Sequence, residues 1–197
     1  MKARAAVSRP GVFLLLAAIL SGAGPATGAT LFVTNTKSDS ASIIDTDTLE
    51  AVRTIPLGQG KPDRIVFHPD GRTAWVVYDK SHDLGVIDAE ARKLIKREIP
   101  LPGIVHEATL TLDGKYLYTT LRKSNKIVVV RASNDKIVAT IPQKGYPDLV
   151  TMEPTGRRAL VTNRWADLVS VIDLASHDQV RTIPVGKAPH GMALRPR

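Results

Sequence analysis

Residues 159–186 read ALVTNRWADLVSVIDLASHDQVRTIPVG, and the same pattern stands three more times upstream. It appears as LFVTNTKSDSASIIDTDTLEAVRTIPLG from Leu31, as AWVVYDKSHDLGVIDAEARKLIKREIPLPG from Ala74, and as LYTTLRKSNKIVVVRASNDKIVATIPQKG from Leu117. The first three copies are each followed by an apolar run that ends in a turn, FHPDG, LTLDG or MEPTG. A unit of about 42 residues with several short β-rich runs is the signature of stacked four-stranded sheets, a propeller. In the second copy the strands fall at Arg64–His68, Thr73–Tyr78, Leu84–Asp88 and Leu94–Ile99. Valine, isoleucine, threonine and aromatics fill them, while DG, KSHD and PLPG break them. Each fourth strand ends on an Ile-Pro pair (Ile55-Pro56, Ile99-Pro100, Ile141-Pro142, Ile183-Pro184). Proline has no N–H to donate and is tolerated at an edge.

The phase of the repeats predicts how the sheets close. Leu31–Asn35 is a second strand and Gly191–Arg195 a first strand, so pairing of the two completes a blade. The expected fold is all-β: a propeller of four four-stranded blades over residues 30–197, closed by pairing of its N- and C-terminal strands. Two alternatives share this phase, a dimer forming an eight-blade ring and a piece of a larger propeller.

Residues 1–29 read as a signal peptide. Lys2, Arg4 and Arg9 make a basic start, Val12–Leu20 an apolar core, and GPATGA a small-residue exit with cleavage expected near Ala29. The apolar core is too short to span a bilayer, and the expected location is periplasmic or secreted. The whole chain has formal net charge +8 and no cysteine. The second fact excludes disulfides, thiolate metal sites and thiol catalysis. The first favours anionic surfaces without specifying one.

The segments LFVTN…SIIDTDTLEAVRTIPLG and ALVTN…VSVIDLASHDQVRTIPVG resemble the YVTN-type β-propeller repeat, whose order is YVTN, VSVID, VVATIPVG and a PDG turn. The third copy departs from it, with LYTTL for YVTN and Arg131 where the others carry Asp45, Asp88 and Asp173. Members of that family commonly have seven blades. They include exported binding proteins, one group taking single-stranded DNA, and relatives of the haem-carrying domain of periplasmic nitrite reductases. The resemblance implies a fold and leaves the activity open.

Two constellations point to chemistry. Counting eight residues back from the turn glycine puts Asp63, His106 and Asp148, and, where Pro196 matches Pro69, His190, at equivalent starts of channel-lining first strands. In a small closed ring, two imidazoles and two carboxylates at one mouth suit a divalent transition metal such as zinc, copper or nickel. Loops on the same side contribute Lys37, Lys80, Arg122, Lys123, Lys126 and Arg164, with Tyr78, Tyr146 and Trp165 among them. Cations that track phosphates beside rings that stack on bases are the pattern of a single-stranded nucleic-acid or other anionic-ligand site. GxSxG, HExxH and P-loop motifs are absent. The expected function is a non-enzymatic binding scaffold for an anionic ligand, single-stranded nucleic acid or a protein. A metal- or haem-handling protein and a lactonase-like hydrolase are the alternatives.

Overall fold

The computed structural model describes residues 28–195, so most of the expected signal peptide lies outside the described residues. Four antiparallel sheets follow one another along the chain. The first has three strands, β1 (Thr30–Asn35), β2 (Ser40–Asp45) and β3 (Glu50–Pro56). The second holds β4 (Pro62–Phe67), β5 (Thr73–Tyr78), β6 (Asp83–Asp88) and β7 (Lys93–Pro100). The third holds β8 (Glu107–Leu110), β9 (Tyr116–Leu121), β10 (Lys126–Arg131) and β11 (Lys136–Pro142). The fourth holds β12 (Pro147–Met152), β13 (Arg158–Asn163), β14 (Leu168–Asp173) and β15 (Gln179–Pro184). Within every sheet, neighbours in space are neighbours in sequence. The pairing of each third strand with its fourth slips register, as between Ile43 and Ile44 and between Val171 and Ile172. Such bulges raise the local twist of a blade.

The core lies between sheets. Alternation along a strand sends successive side chains to opposite faces, and both faces of the inner sheets are apolar. Ala41, Ile43, Ile55 and Leu57 pack on Ala74, Val76, Tyr78 and Ile87 of the second sheet. The second sheet's other face, with Trp75, Val77, Leu84 and Val86, meets Ala108, Leu110, Leu117 and Val128 of the third. Tyr118, Ile127, Val129 and Ile141 then meet Val150, Met152, Ala159 and Val161 of the fourth.

Two polar contacts recur between sheets and set their spacing. Asp39, Asn125 and Asp167 follow a second strand and adopt left-handed backbone, with φ of 48°, 51° and 53°. Each side chain accepts the backbone N–H just ahead of the next first strand, from Lys61 at 3.0 Å, Tyr146 at 2.7 Å and Ala188 at 2.9 Å. Aspartate and asparagine suit the position because they tolerate left-handed backbone and reach a local N–H. The threonine of the second strand makes the other tie. Thr34, Thr120 and Thr162 donate through Oγ1 to the carbonyls of Asp63, Asp148 and His190 at 2.9, 2.9 and 3.0 Å. Val77 occupies this place in the second sheet.

These ties place residues 186–195 beside the fourth sheet, where the first strand of a following sheet belongs. The segment forms no strand, and β1 pairs with β2 alone. The structure therefore shows four sheets without the expected pairing of the terminal strands that would close a four-blade ring.

The threonine tie has a measurable cost of removal. Thr120→Val keeps the shape but loses two bonds with buried partners, one to Asp148 O and one from the Glu107 N–H at 3.2 Å. Urea unfolding should show a loss of about 1–3 kcal/mol, the range for stranding buried polar groups. A loss below measurement error would show that the tie does not hold the sheets.

Candidate functional site

Three of the four equivalent first-strand starts meet, around Asp148. Asp148 is fully buried in β12. Its Oδ1 accepts Arg122 Nε at 2.8 Å and a second bond from Arg122 Nη2, and lies 3.1 Å from His106 Nε2. Its Oδ2 is 3.7 Å from Arg164 Nη1 and 3.6 Å from His190 Nε2, beyond hydrogen-bond distance of either. Asp63 is exposed and acts on His106 through its field, favouring the charged imidazole. The anticipated metal quartet is not assembled. Three members meet, but guanidinium groups surround the one carboxylate among them, and they would repel a divalent cation. Among the described residues, no group of three or more His, Asp or Glu side chains is placed to hold a metal.

The cluster is cationic. Arg122 and Arg164 outweigh Asp148, and Arg164 remains partly open to solvent. Burial holds His106 below the ordinary histidine range, and Arg122 pushes it further the same way against the pull of Asp148. The imidazole is therefore a neutral hydrogen-bonding group at neutral pH. Arg122, Lys123, Lys80, Asp79, His106 and Tyr146 line a cleft of about 460 Å³ beside it.

A stack of planar groups rises from this cluster. Arg122 Cζ lies 5.3 Å from the centre of the Tyr146 ring. Tyr146 in turn stacks on Trp165, with centroids 4.1 Å apart and planes 20° from parallel. The outer face of Trp165 is open, the residue being 73% exposed. Asp148 thus orients Arg122, whose guanidinium lies over the Tyr146 ring, and Tyr146 stacks on Trp165. Tyr146 holds a φ of 68° ahead of Pro147, an unfavourable state for a bulky side chain. Asn125 Oδ1 fixes its N–H, and its carbonyl accepts the Arg164 N–H at 3.1 Å. Gly145, at φ 75°, is required here: a Cβ would lie 2.5 Å from Ala166 Cβ and 2.6 Å from its nitrogen.

Not every predicted residue belongs to this site. Tyr78, expected as a ligand contact, is fully buried and donates to the Leu57 carbonyl at 2.7 Å. Its place at the end of β5 turns it into the interface with the first sheet. Lys123 is exposed and Lys126 half-buried beside the cleft-side turn at Arg122–Ser124. Tyr146 is the contact that outranks Tyr78. The sequence hint was its position before a proline, where other repeats carry Lys61 and Ala188.

A second buried carboxylate lies close by. Glu107 takes Arg64 Nη2 at 3.0 Å across the junction of the second and third sheets, and accepts the Ala108 N–H. Burial pushes its carboxyl up to about 7, with Arg64 holding it back in part.

Comparison with known proteins agrees with these repeats. Residues 102–195 match the family model described as YNCE-like beta-propeller. Both this match and the relative below support the resemblance of the repeats to the YVTN β-propeller type. A protein of Salmonella typhimurium (strain LT2) titled "Uncharacterized protein YncE" is 33% identical over 112 residues, which are 55% of this chain and 31% of that protein. Among solved structures, Kuenenia stuttgartiensis hydrazine synthase superposes with a TM-score of 0.72 at 24% identity, over 78% of this chain and 45% of the other. That likeness shows the fold alone. The chain spans about a third of the curated relative and less than half of the structural one.

Glu107 yields a pH prediction with a definite sign. Its folded value of about 7 lies above the ordinary 4.5, so the folded chain binds the proton more tightly. Its contribution is complete below about 4.5 and is lost as pH rises through 7. The stability of Glu107→Gln relative to the parent should accordingly climb between those two values and level off above them. Urea midpoints of both proteins across that window provide the check. A difference that stays flat would mean the carboxyl is not perturbed.

Proposed function

We propose that this chain is an exported binding scaffold that takes an anionic ligand with planar rings, single-stranded nucleic acid before others. One observation carries the reading. The Arg122–Tyr146–Trp165 stack leaves an aromatic face open to solvent beside Arg164 and a cationic cleft. Bases stack on such a face while lysine and arginine track phosphates, which is how sequence-tolerant single-strand binding works. The stack is built before any ligand arrives, which lowers the ordering cost of binding. Lys123, Lys126 and Lys80 extend the positive surface around it. The basic start and short apolar core of residues 1–29 support export to the periplasm or beyond. Among the described residues, no helix is long and apolar enough to cross a membrane.

Fluorescence anisotropy of a labelled oligo(dT) tests this. Trp165→Ala removes the outermost ring and should weaken binding by about 1–3 kcal/mol, or about 5- to 150-fold. Arg164→Gln should reduce the slope of log K against log salt by about 1. Affinity indifferent to salt and to the loss of Trp165 would refute the reading.

A further inference from the structure

At the end of the sheets away from Trp165, one residue breaks the pattern of the repeat at a local cost. Asp45, Asp88 and Asp173 each close the turn between a third and a fourth strand. Asp45 Oδ1 accepts the N–H groups of Asp47 and Thr48 at 2.8 and 3.0 Å. Asp173 Oδ1 accepts those of Ala175 and Ser176 at 2.9 and 3.0 Å, and Asp88 Oδ1 that of Ala91 at 2.8 Å. The third sheet carries Arg131 there, a side chain with no acceptor to offer. The Ser133 N–H therefore meets no partner among the described residues, and the Asn134 N–H reaches only the Arg131 carbonyl, at 3.4 Å. The turn gives up a capping carboxylate and gains a cation in its place. Residues that break a local rule of their own fold are where function is to be sought.

Arg131 and Ser133 line a cleft of about 540 Å³ between the second and third sheets, together with Lys115, His68, Tyr116 and Trp75. Trp75 is buried, and its Nε1 donates to Asp135 Oδ1 at 3.3 Å. His68 packs beside it, ring centroids 6.3 Å apart, in space that a Cβ on Gly114 would fill at 2.5 Å from Nε2. Two carboxylates also line the cleft, and both are engaged. Asp113 Oδ1 accepts Thr111 Oγ1 and the Lys115 N–H, while its Oδ2 pairs with Lys115 Nζ at 3.1 Å. Asp70 Oδ1 accepts the Arg72 and Thr73 N–H groups, and its Oδ2 lies 3.0 Å from His68 Nδ1. Arg131 is exposed and has no ion pair among the described residues. We infer that this cleft takes the phosphate group of a small phosphate ester, with Arg131 as its anchor. A guanidinium fork matches two phosphate oxygens at once, and the Ser133 N–H is free to serve a third. The cleft is far larger than phosphate and within the usual range of small-molecule sites, which leaves room for the esterified part beside half-buried Tyr116. Arg131 pairs with Tyr116 at one end of β10 and β9, whereas Arg122 follows the other end of β9. The inference is therefore independent of the ligand proposed above.

Arg131→Asp separates binding from folding, because aspartate is what the other three copies carry. Nitrogen-15-labelled protein is titrated with glycerol phosphate at an ionic strength held constant with sodium chloride. The Ser133 amide resonance should shift saturably. Inorganic phosphate should produce the same shift with weaker affinity, and sodium acetate should leave the resonance at its chloride position. Arg131→Asp should weaken glycerol phosphate about 10-fold or more, the loss expected for a charge-assisted bond. Its urea midpoint should hold or rise, since the turn regains its cap. Free phosphate that binds as tightly as the ester would keep the phosphate site and remove the ester. Acetate that matches the phosphates, or an unchanged affinity in Arg131→Asp, would overturn the inference. A lowered urea midpoint in that variant would overturn it too, by making Arg131 a residue of the framework.

Discussion

No sheet in this chain can bury both of its faces alone, and the contact between successive sheets is the constraint on which everything else rests. Its apolar part is ordinary burial of valine, isoleucine and leucine, which is favourable in proportion to the area removed from water. Burial is non-directional, however, and does not fix the offset of one sheet on the next. That offset comes from two directional ties, the Asx side chain that holds the incoming loop and the threonine hydroxyl that holds the incoming strand. Both act at the same end of the sheets, so the channel mouth is the most closely specified part of the arc.

The candidate site is a by-product of those ties. Asn125 positions Tyr146, and Thr120 positions the carbonyl of Asp148, so the scaffold bonds themselves bring the carboxylate under Arg122. Burying one carboxylate among two guanidinium groups is costly unless each is well placed, and the fixed backbone supplies the placement. The positive charge left over faces the cleft. A scaffold that repeats its framework while varying one or two residues per copy is suited to carrying a single specialised mouth position among four.

Much of this was legible in the sequence because a repeat reports its own geometry. Strand order, turn glycines and the equivalence of Asp63, His106, Asp148 and His190 follow from aligning copies, and the recurrent threonine ties show the same alignment. What alignment within the repeat does not reveal is contact between copies. Arg122 with Asp148 and Arg64 with Glu107 are pairs that cross from one sheet to the next. Equivalent positions therefore indicated proximity, but not the guanidinium groups of Arg122 and Arg164, which come from the turns after β9 and β13. Tyr78 misled for a related reason: aromatic residues at loop edges look alike in one dimension, and only the facing sheet decides which is covered. Closure was read from strand phase alone, which says that two strands are complementary; the structure does not show them paired.

Val77 has a consequence of its own. It deprives the joint between the second and third sheets of the hydroxyl that the other joints possess, and the Arg64–Glu107 pair is among the polar contacts that span it. The threonine ties elsewhere carry no titratable group, whereas this pair loses its charge as Glu107 takes up a proton near neutrality. That joint therefore gains or loses one charge pair as the surroundings pass through neutrality, while the threonine-tied joints keep their hydroxyl bonds at any acidity.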